Sequence, residues 1–172
     1  MSAEQLWNGE LFIADKSVWD RAGLPQIRPL WEQALRADQI ATCAISRLEL
    51  LYSARGIEEF ASWETDLAAL RDIPITRSEL AAAVGAMRDL VERGDRHHRV
   101  PLPDVILAAT AASAGVGVLH YDRHFDRLAE VLSFRNQWIV PRGTLHDERT
   151  AAGRSIKARL AAAFRRGCAF CP

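Results

Sequence analysis

Short runs in which nearly every residue is apolar recur along the chain, at Leu11–Ala14, Ile40–Ala44, Val116–Leu119 and Trp138–Val140. They are too dense for a strand with one face in water and suit a parallel sheet covered on both faces. Each therefore predicts a strand. Between them apolar residues return at steps of three and four: Leu30, Trp31, Ala34 and Leu35; then Ile45, Leu48 and Leu51; then Leu80, Val84, Met87 and Val91. That period predicts helices. Ile73–Ile75, after the helical stretch Ile57–Leu70, is a further strand candidate. Gly94, Pro101 and Pro103 mark a break before a helix that starts near Asp104. Strands alternating with helices predict an α/β fold, a mainly parallel central sheet flanked by helices.

Past Pro141-Arg142-Gly143 the pattern changes. Ile156, Leu160 and Phe164 are spaced four apart, with Arg154, Lys157, Arg159 and Arg165 mostly off that line, which predicts a C-terminal helix. The expected organisation is one domain over residues 1–145 and a basic helical extension over 146–172. At 172 residues and 49% hydrophobic content the chain can build a substantial core. Charge balances overall at 22 Lys+Arg against 22 Asp+Glu, yet residues 1–134 hold 14 basic and 20 acidic side chains, and residues 135–172 hold 8 and 2. An acidic body thus meets a basic end.

The N-terminus shows no charged leader with an apolar stretch, and the longest nearly apolar run, Val105 to Ala112, falls short of the ~20 residues that span a bilayer. Three cysteines form no even disulfide framework. The expectation is a soluble, cytoplasmic protein with no membrane partner.

In an open α/β sheet, ligands collect beyond the carboxyl ends of the strands. Asp15 follows the first predicted strand, and Asp122 follows Val116–Leu119 with His120 and Tyr121 between. Glu49 stands in the apolar helical stretch Ile45-Ser-Arg-Leu-Glu-Leu-Leu, and Asp104 in Pro101-Leu-Pro-Asp-Val-Ile-Leu. A carboxylate among so many apolar neighbours is costly if buried without a partner. Each acid also has an ordinary reading. Asp15, Asp104 and Asp122 precede predicted helices, where aspartate is a favoured N-cap, and Glu49 and Asp126 fit exposed helix positions.

Taken together, the acids and their surroundings resemble the PIN-domain nucleases. That family shows an aspartate ending the first strand with Ser or Asn two residues on, here Asp15-Lys16-Ser17, and a glutamate in an apolar helix, here Leu48-Glu49-Leu50-Leu51. A third acid opens a helix, here Leu102-Pro103-Asp104-Val105-Ile106-Leu107-Ala108-Ala109. A fourth follows the next strand in Leu119-His120-Tyr121-Asp122-Arg123-His124-Phe125-Asp126, similar to the family's Asp-x-x-Phe signature. The resemblance covers about residues 11–145 and looks nearest to bacterial VapC-type toxins. Lys16 stands where a small or hydroxyl residue is common, and His120 where many members have Thr or Ser.

The resemblance implies an endoribonuclease dependent on Mg²⁺ or Mn²⁺, with Asp15, Glu49, Asp104 and Asp122 catalytic and Asp15, Asp104, Asp122 and Asp126 toward the metal. It implies products with a 5′-phosphate and a 3′-hydroxyl, a homodimer, and a small cognate antitoxin whose segment covers the pocket. Hard carboxylate oxygens suit Mg²⁺ and Mn²⁺. Without metal the clustered acids repel one another, so at least one should titrate above its ordinary value. Ser17, Arg123 and His124 beside the acids, and Arg142, Arg154 and Lys157 toward the basic end, are candidates for holding RNA. The histidines otherwise show no metal-ligand spacing.

Rival readings fit less well. A haloacid-dehalogenase-like phosphatase resembles Asp-x-Asp after the first strand, where this chain has Ser17. A receiver-type module needs a lysine after a late strand, and the lysines here are Lys16 and Lys157. A catalytically inactive PIN-like module that binds RNA or protein remains the alternative. Cys168-Ala-Phe-Cys171 lacks the strand-to-helix setting of a redox site, and no Walker loop, Rossmann fingerprint or G-x-S-x-G elbow is present.

Overall fold

The computed structural model describes residues 9–145. The expected extension over 146–172, with Arg154, Lys157 and the Cys168–Cys171 pair, lies outside the described residues. In chain order the elements are β1 (Phe12–Ala14), α1 (Lys16–Trp19), α2 (Arg28–Arg36), β2 (Ile40–Cys43), α3 (Ala44–Tyr52), α4 (Ile57–Ala68), β3 (Arg71–Ile73), α5 (Arg77–Arg93), α6 (Leu102–Ala114), β4 (Gly117–His120), α7 (His124–Leu128) and β5 (Arg135–Trp138). The five strands form one sheet in the order β3-β2-β1-β4-β5, and every neighbouring pair is parallel.

The three inner strands are buried along their length. Because side chains alternate between faces, Phe12 and Ala14 enter one apolar cluster, with Val18, Trp19, Trp31 and Leu50, while Ile13 enters the other, with Cys43, Leu90, Val105, Leu107 and Phe125. The sheet is therefore the middle of three layers. Phe12 pairs with Gly117 across β1 and β4, and its ring lies where a Cβ on Gly117 would stand.

The edge strands depart from the sequence expectation. Density of apolar residues placed them at Ile73–Ile75 and Trp138–Val140, but they run Arg71–Ile73 and Arg135–Trp138. An edge strand has ladder partners on one side only and tolerates polar side chains, so Arg71, Asp72, Asn136 and Gln137 belong to the sheet while the apolar residues beyond it do not. Arg71 pairs with Asp38 at 2.6 Å, and Arg135 pairs with Glu10.

Helix α5 opens with a capping box: Thr76 Oγ1 accepts from Ser78 N at 3.1 Å, and Glu79 Oε2 accepts from Thr76 N at 2.8 Å. It buries Ala83, Ala86 and Leu90 and packs against α6. Its larger apolar residues Leu80, Val84 and Val91 are exposed, as are Leu48 and Tyr52 on α3 and Ile57 on α4. No helix among the described residues is long and apolar enough to cross a membrane.

Candidate active site

The strand order reverses at β1. Successive strands build outward through β2 to β3, then the chain returns to the other side of β1 for β4 and β5. The carboxyl ends of β1 and β4 thus define a topological switch point, the place where ligands collect in open α/β sheets.

Asp15 leaves β1 there as the N-cap of α1, accepting from Ser17 N at 2.8 Å, while its own amide donates to Leu119 O of β4 at 2.9 Å. Ser17 Oγ accepts from Tyr121 N at 2.9 Å. Ser17, expected to face RNA, therefore ties the exit of β4 to the exit of β1. Asp15 is buried. Loss of hydration raises its pKa, against the lowering effect of its bonds to Ser17, and the charge of Asp122 adds to the rise.

Asp104 lies in the first turn of α6, where Pro101 is the N-cap and no side chain caps the helix. The capping reading does not apply to it. Burial first, then the charges of Asp15, Asp122 and Glu49, push its carboxyl up to about 8. The expected strain among the acids is thus concentrated on Asp104, and all four carboxylates act in one electrostatic neighbourhood. Glu49, half-buried on α3, is likewise raised, by loss of hydration and then by Asp15. Its Oε2 is shielded from solvent and has no hydrogen-bond partner among the described residues. An orphaned carboxylate oxygen in an acidic pocket is uncompensated unless a cation or a donor joins it.

Asp122 behaves as a local cap as well as a pocket acid. Its Oδ1 accepts from His124 N at 3.0 Å. His124 Nδ1 lies 3.1 Å from Asp104 Oδ2 and 3.1 Å from Asp122 Oδ1. Asp104, Asp122 and His124 each offer an atom to a group that lies within 4.8 Å. Sequence spacing gave no sign of this, because Asp104 joins from another helix. The only local signal was that His124 flanks Asp122.

His120 has a different place from the one its position suggested. Fully buried, with its ring 4.8 Å from that of Phe125 and 5.0 Å from that of Trp138, it accepts from Asp122 N at Nδ1, 3.2 Å away. That bond assigns the proton to Nε2, which donates to Asn136 Oδ1 at 2.5 Å. Burial holds its pKa down to about 4, against the raising effects of Asn136 and Asp126. Asn136 Nδ2 and Trp138 Nε1 both donate to Asp126 Oδ1 at 2.9 Å. Asp126, expected near the metal, thus anchors β5 and holds His120, which in turn holds the backbone of Asp122.

Arg123 and Arg142 are exposed. Tyr121 Oη accepts from the amides of Gly143 and Leu145, fixing the segment that carries Arg142. Arg21, which the sequence did not single out, donates to Ser17 O at 2.9 Å and stacks over the Tyr121 ring at 5.0 Å. A cation four residues after Ser17 was the signal available.

Comparison with known proteins identifies the family to which this fold belongs. The PIN domain profile matches residues 13–131. Ribonuclease VapC18 of Mycobacterium tuberculosis is 38% identical over 136 residues, covering 78% of this chain and 99% of the relative. Ribonuclease VapC51 of the same organism is 37% identical over 134 residues, covering 78% and 96%. The crystal structure of a member of the VapBC family of toxin-antitoxin systems, VapBC-5 from Mycobacterium tuberculosis, shares the fold at a TM-score of 0.53 and 24% identity, covering 74% of this chain and 98% of that one. The profile begins within β1, runs through α7 and includes all four pocket acids, and by that match the chain belongs to the PIN domain family.

Proposed function

We propose that this chain is a metal-dependent endoribonuclease, the toxin of a toxin–antitoxin pair. The observation that carries the reading is geometric: Asp104 and Asp122, brought together from α6 and the end of β4, each place a carboxylate oxygen 3.1 Å from His124 Nδ1 in a group that could hold a metal ion. Such a pocket is poorly matched to itself and well matched to a cation. The donor set fits Mg²⁺ or Mn²⁺, since the carboxylates supply hard oxygen atoms and Glu49 Oε2 has no other partner.

Asp15, Asp104 and Asp122 are the residues that would hold the ion. When bound, it supplies Lewis acidity at the phosphodiester and neutralises its charge. Glu49 Oε2 is free to accept a hydrogen bond from the attacking water and so orient it. Water adds at phosphorus as the bond to the 3′ oxygen breaks; the water gives up a proton to solvent and the 3′ oxygen takes one from solvent, leaving a 3′-hydroxyl and a 5′-phosphate. Arg21, Arg123 and Arg142 are available to the RNA backbone. The buried chain from His120 to Asp126 keeps the Asp122 loop in register, so the histidine in place of Thr or Ser is compatible with activity. Support for the inactive-module alternative is reduced accordingly.

The reading extends to partners. Ribonuclease and toxin-antitoxin are the words carried by the relatives and the structural neighbour. Exposed Tyr52 (92%) and Ile57 (81%), with Leu48, Leu80, Val84 and Val91, offer apolar area suited to burial against a second copy and an antitoxin segment. We assign the protein to the cytoplasm on the same ground, where its RNA substrate lies.

The test is cleavage of total cellular RNA by the purified protein with Mn²⁺ or Mg²⁺, with chelator, and with Asp104→Asn. Metal-dependent cleavage that the folded variant lacks is expected. Cleavage that persists in chelator, or in the variant, overturns the reading.

A further inference from the structure

We propose that His124 Nδ1 is a ligand to the same ion as Asp104 and Asp122, which makes the pocket a mixed nitrogen–oxygen site that favours Mn²⁺ over Mg²⁺. The proposal rests on the metal-dependent reading above. It starts from the position of one nitrogen atom: His124 Nδ1 sits 3.1 Å from a carboxylate oxygen of each aspartate, and the ligand atoms of the three residues fall within 4.8 Å of one another. Adjacent ligands of an octahedral ion with bonds of ~2.1 Å lie about 3 Å apart, and opposite ones about 4.2 Å apart. His124 Nδ1 already stands at the spacing of adjacent ligands from each aspartate, and a small contraction of the group as a whole would let one ion reach all three donors.

The ring is held there by structure on both sides. His124 is the first residue of α7, its amide bonded to Asp122 Oδ1 at 3.0 Å, and α7 is seated by the buried side chains of Phe125 and Leu128. Asp104 arrives from α6, which is buried along most of its length. The triangle is therefore made by two elements fixed in the core, and by a short turn whose amide at Asp122 is itself tied to His120.

Chemistry then separates the two ions. Carboxylate oxygens serve Mg²⁺ and Mn²⁺ alike, whereas an imidazole nitrogen draws a site toward transition ions. A pocket of carboxylates alone would discriminate weakly. The same pocket with one imidazole should hold Mn²⁺ more tightly, and substituting the imidazole should narrow the gap between the ions. The competing role for His124 is that of a donor bridging two carboxylates, which moves aside when an ion enters.

The experiment is pulsed electron paramagnetic resonance on the full-length protein with bound Mn²⁺, together with Mn²⁺ and Mg²⁺ affinities by calorimetry. The expected result is a directly coordinated ¹⁴N coupling that becomes a ¹⁵N coupling when the protein is made with ¹⁵N-histidine. In His124→Gln the coupling should vanish, with Mn²⁺ affinity falling about tenfold or more and Mg²⁺ affinity falling much less. The isotope exchange needs no variant, so it decides the matter even if His124→Gln fails to fold. Mn²⁺ bound without nitrogen coupling, coupling that survives in His124→Gln, or equal losses for both ions would overturn the histidine ligand and leave the metal-dependent reading standing. Failure of the wild-type protein to bind Mn²⁺ would bring down both.

Discussion

Replacing Asp104 by Asn should make the metal-free protein more stable. The substitution keeps the shape and an oxygen for His124 while removing a charge that the site disfavours. With a folded pKa of about 8 against an ordinary value of 3.8, the folded state holds its proton more tightly than the unfolded chain. Stability is thus fullest at or below the unfolded pKa and is lost as pH rises from about 4 to about 8. At ~1.4 kcal/mol per unit, the ceiling at pH 7 is about 4 kcal/mol. Relaxation around the charged carboxylate and entry of water reduce this, and ~1–3 kcal/mol is expected. At ~2–4 °C per kcal/mol for a chain of this size, Tm should rise by roughly 2–12 °C. His120 slopes the other way. Its pKa is depressed to about 4, so its contribution is complete above 6.5 and lost as pH falls toward 4. Wild-type protein should therefore weaken between pH 6.5 and 8, and Asp104→Asn should remove most of that decline. Calorimetric melts at pH 5, 6.5 and 8, without metal, read this out. Saturating Mn²⁺ should then raise the wild-type Tm and leave the variant nearly unchanged, since only the wild type binds it well. Equal Tm for the two proteins at pH 8 without metal, or a difference that does not change with pH, would refute the electrostatic account.

Glu49→Gln should fold normally and lose RNA cleavage by roughly 10²-fold, because Oε2 has no structural bond to lose; initial rates beside urea midpoints separate the two effects. His120→Ala should cost about 2–4 kcal/mol in urea unfolding by emptying a site packed against Phe125 and Trp138. A loss below ~0.5 kcal/mol would contradict the anchoring role. Gly117→Ala should destabilise by about 1–3 kcal/mol, as its Cβ meets the Phe12 ring and lies 3.1 Å from Arg135 O; an unchanged urea midpoint would mean that Phe12 moves freely.

The inner sheet was legible because burial on both faces leaves little choice of residue, and the order of the four acids was legible through the resemblance to the PIN-domain nucleases. β1, β2 and β4 appear within about one residue of their apolar runs. At the edges that constraint lapses, and polar Asn136 and Gln137 carry ladder positions that no apolar pattern reveals. Helix α5 was legible as a helix but not in its orientation. The buried face is Ala83, Ala86 and Leu90, since alanine permits close approach to α6, while the larger Leu80 and Val84 face out. His124 contacts Asp104, whereas Asp126 contacts Asn136 and Trp138 of β5, and sequence order did not separate the two. Both flank Asp122 in sequence, and which one faced the pocket depended on α6 on one side and β5 on the other.

The strand order also governs when the pocket can first exist. Asp15 belongs to the earliest strand, yet that strand is central and lacks one neighbour until β4 arrives, bringing Asp122 with it. At about 5–20 residues per second, the roughly one hundred residues between the two aspartates take about 5–20 s to leave the ribosome. Throughout that interval Asp15 is present and the pocket is not. The four acids can therefore come together only after β4 has been made and has taken its place beside β1.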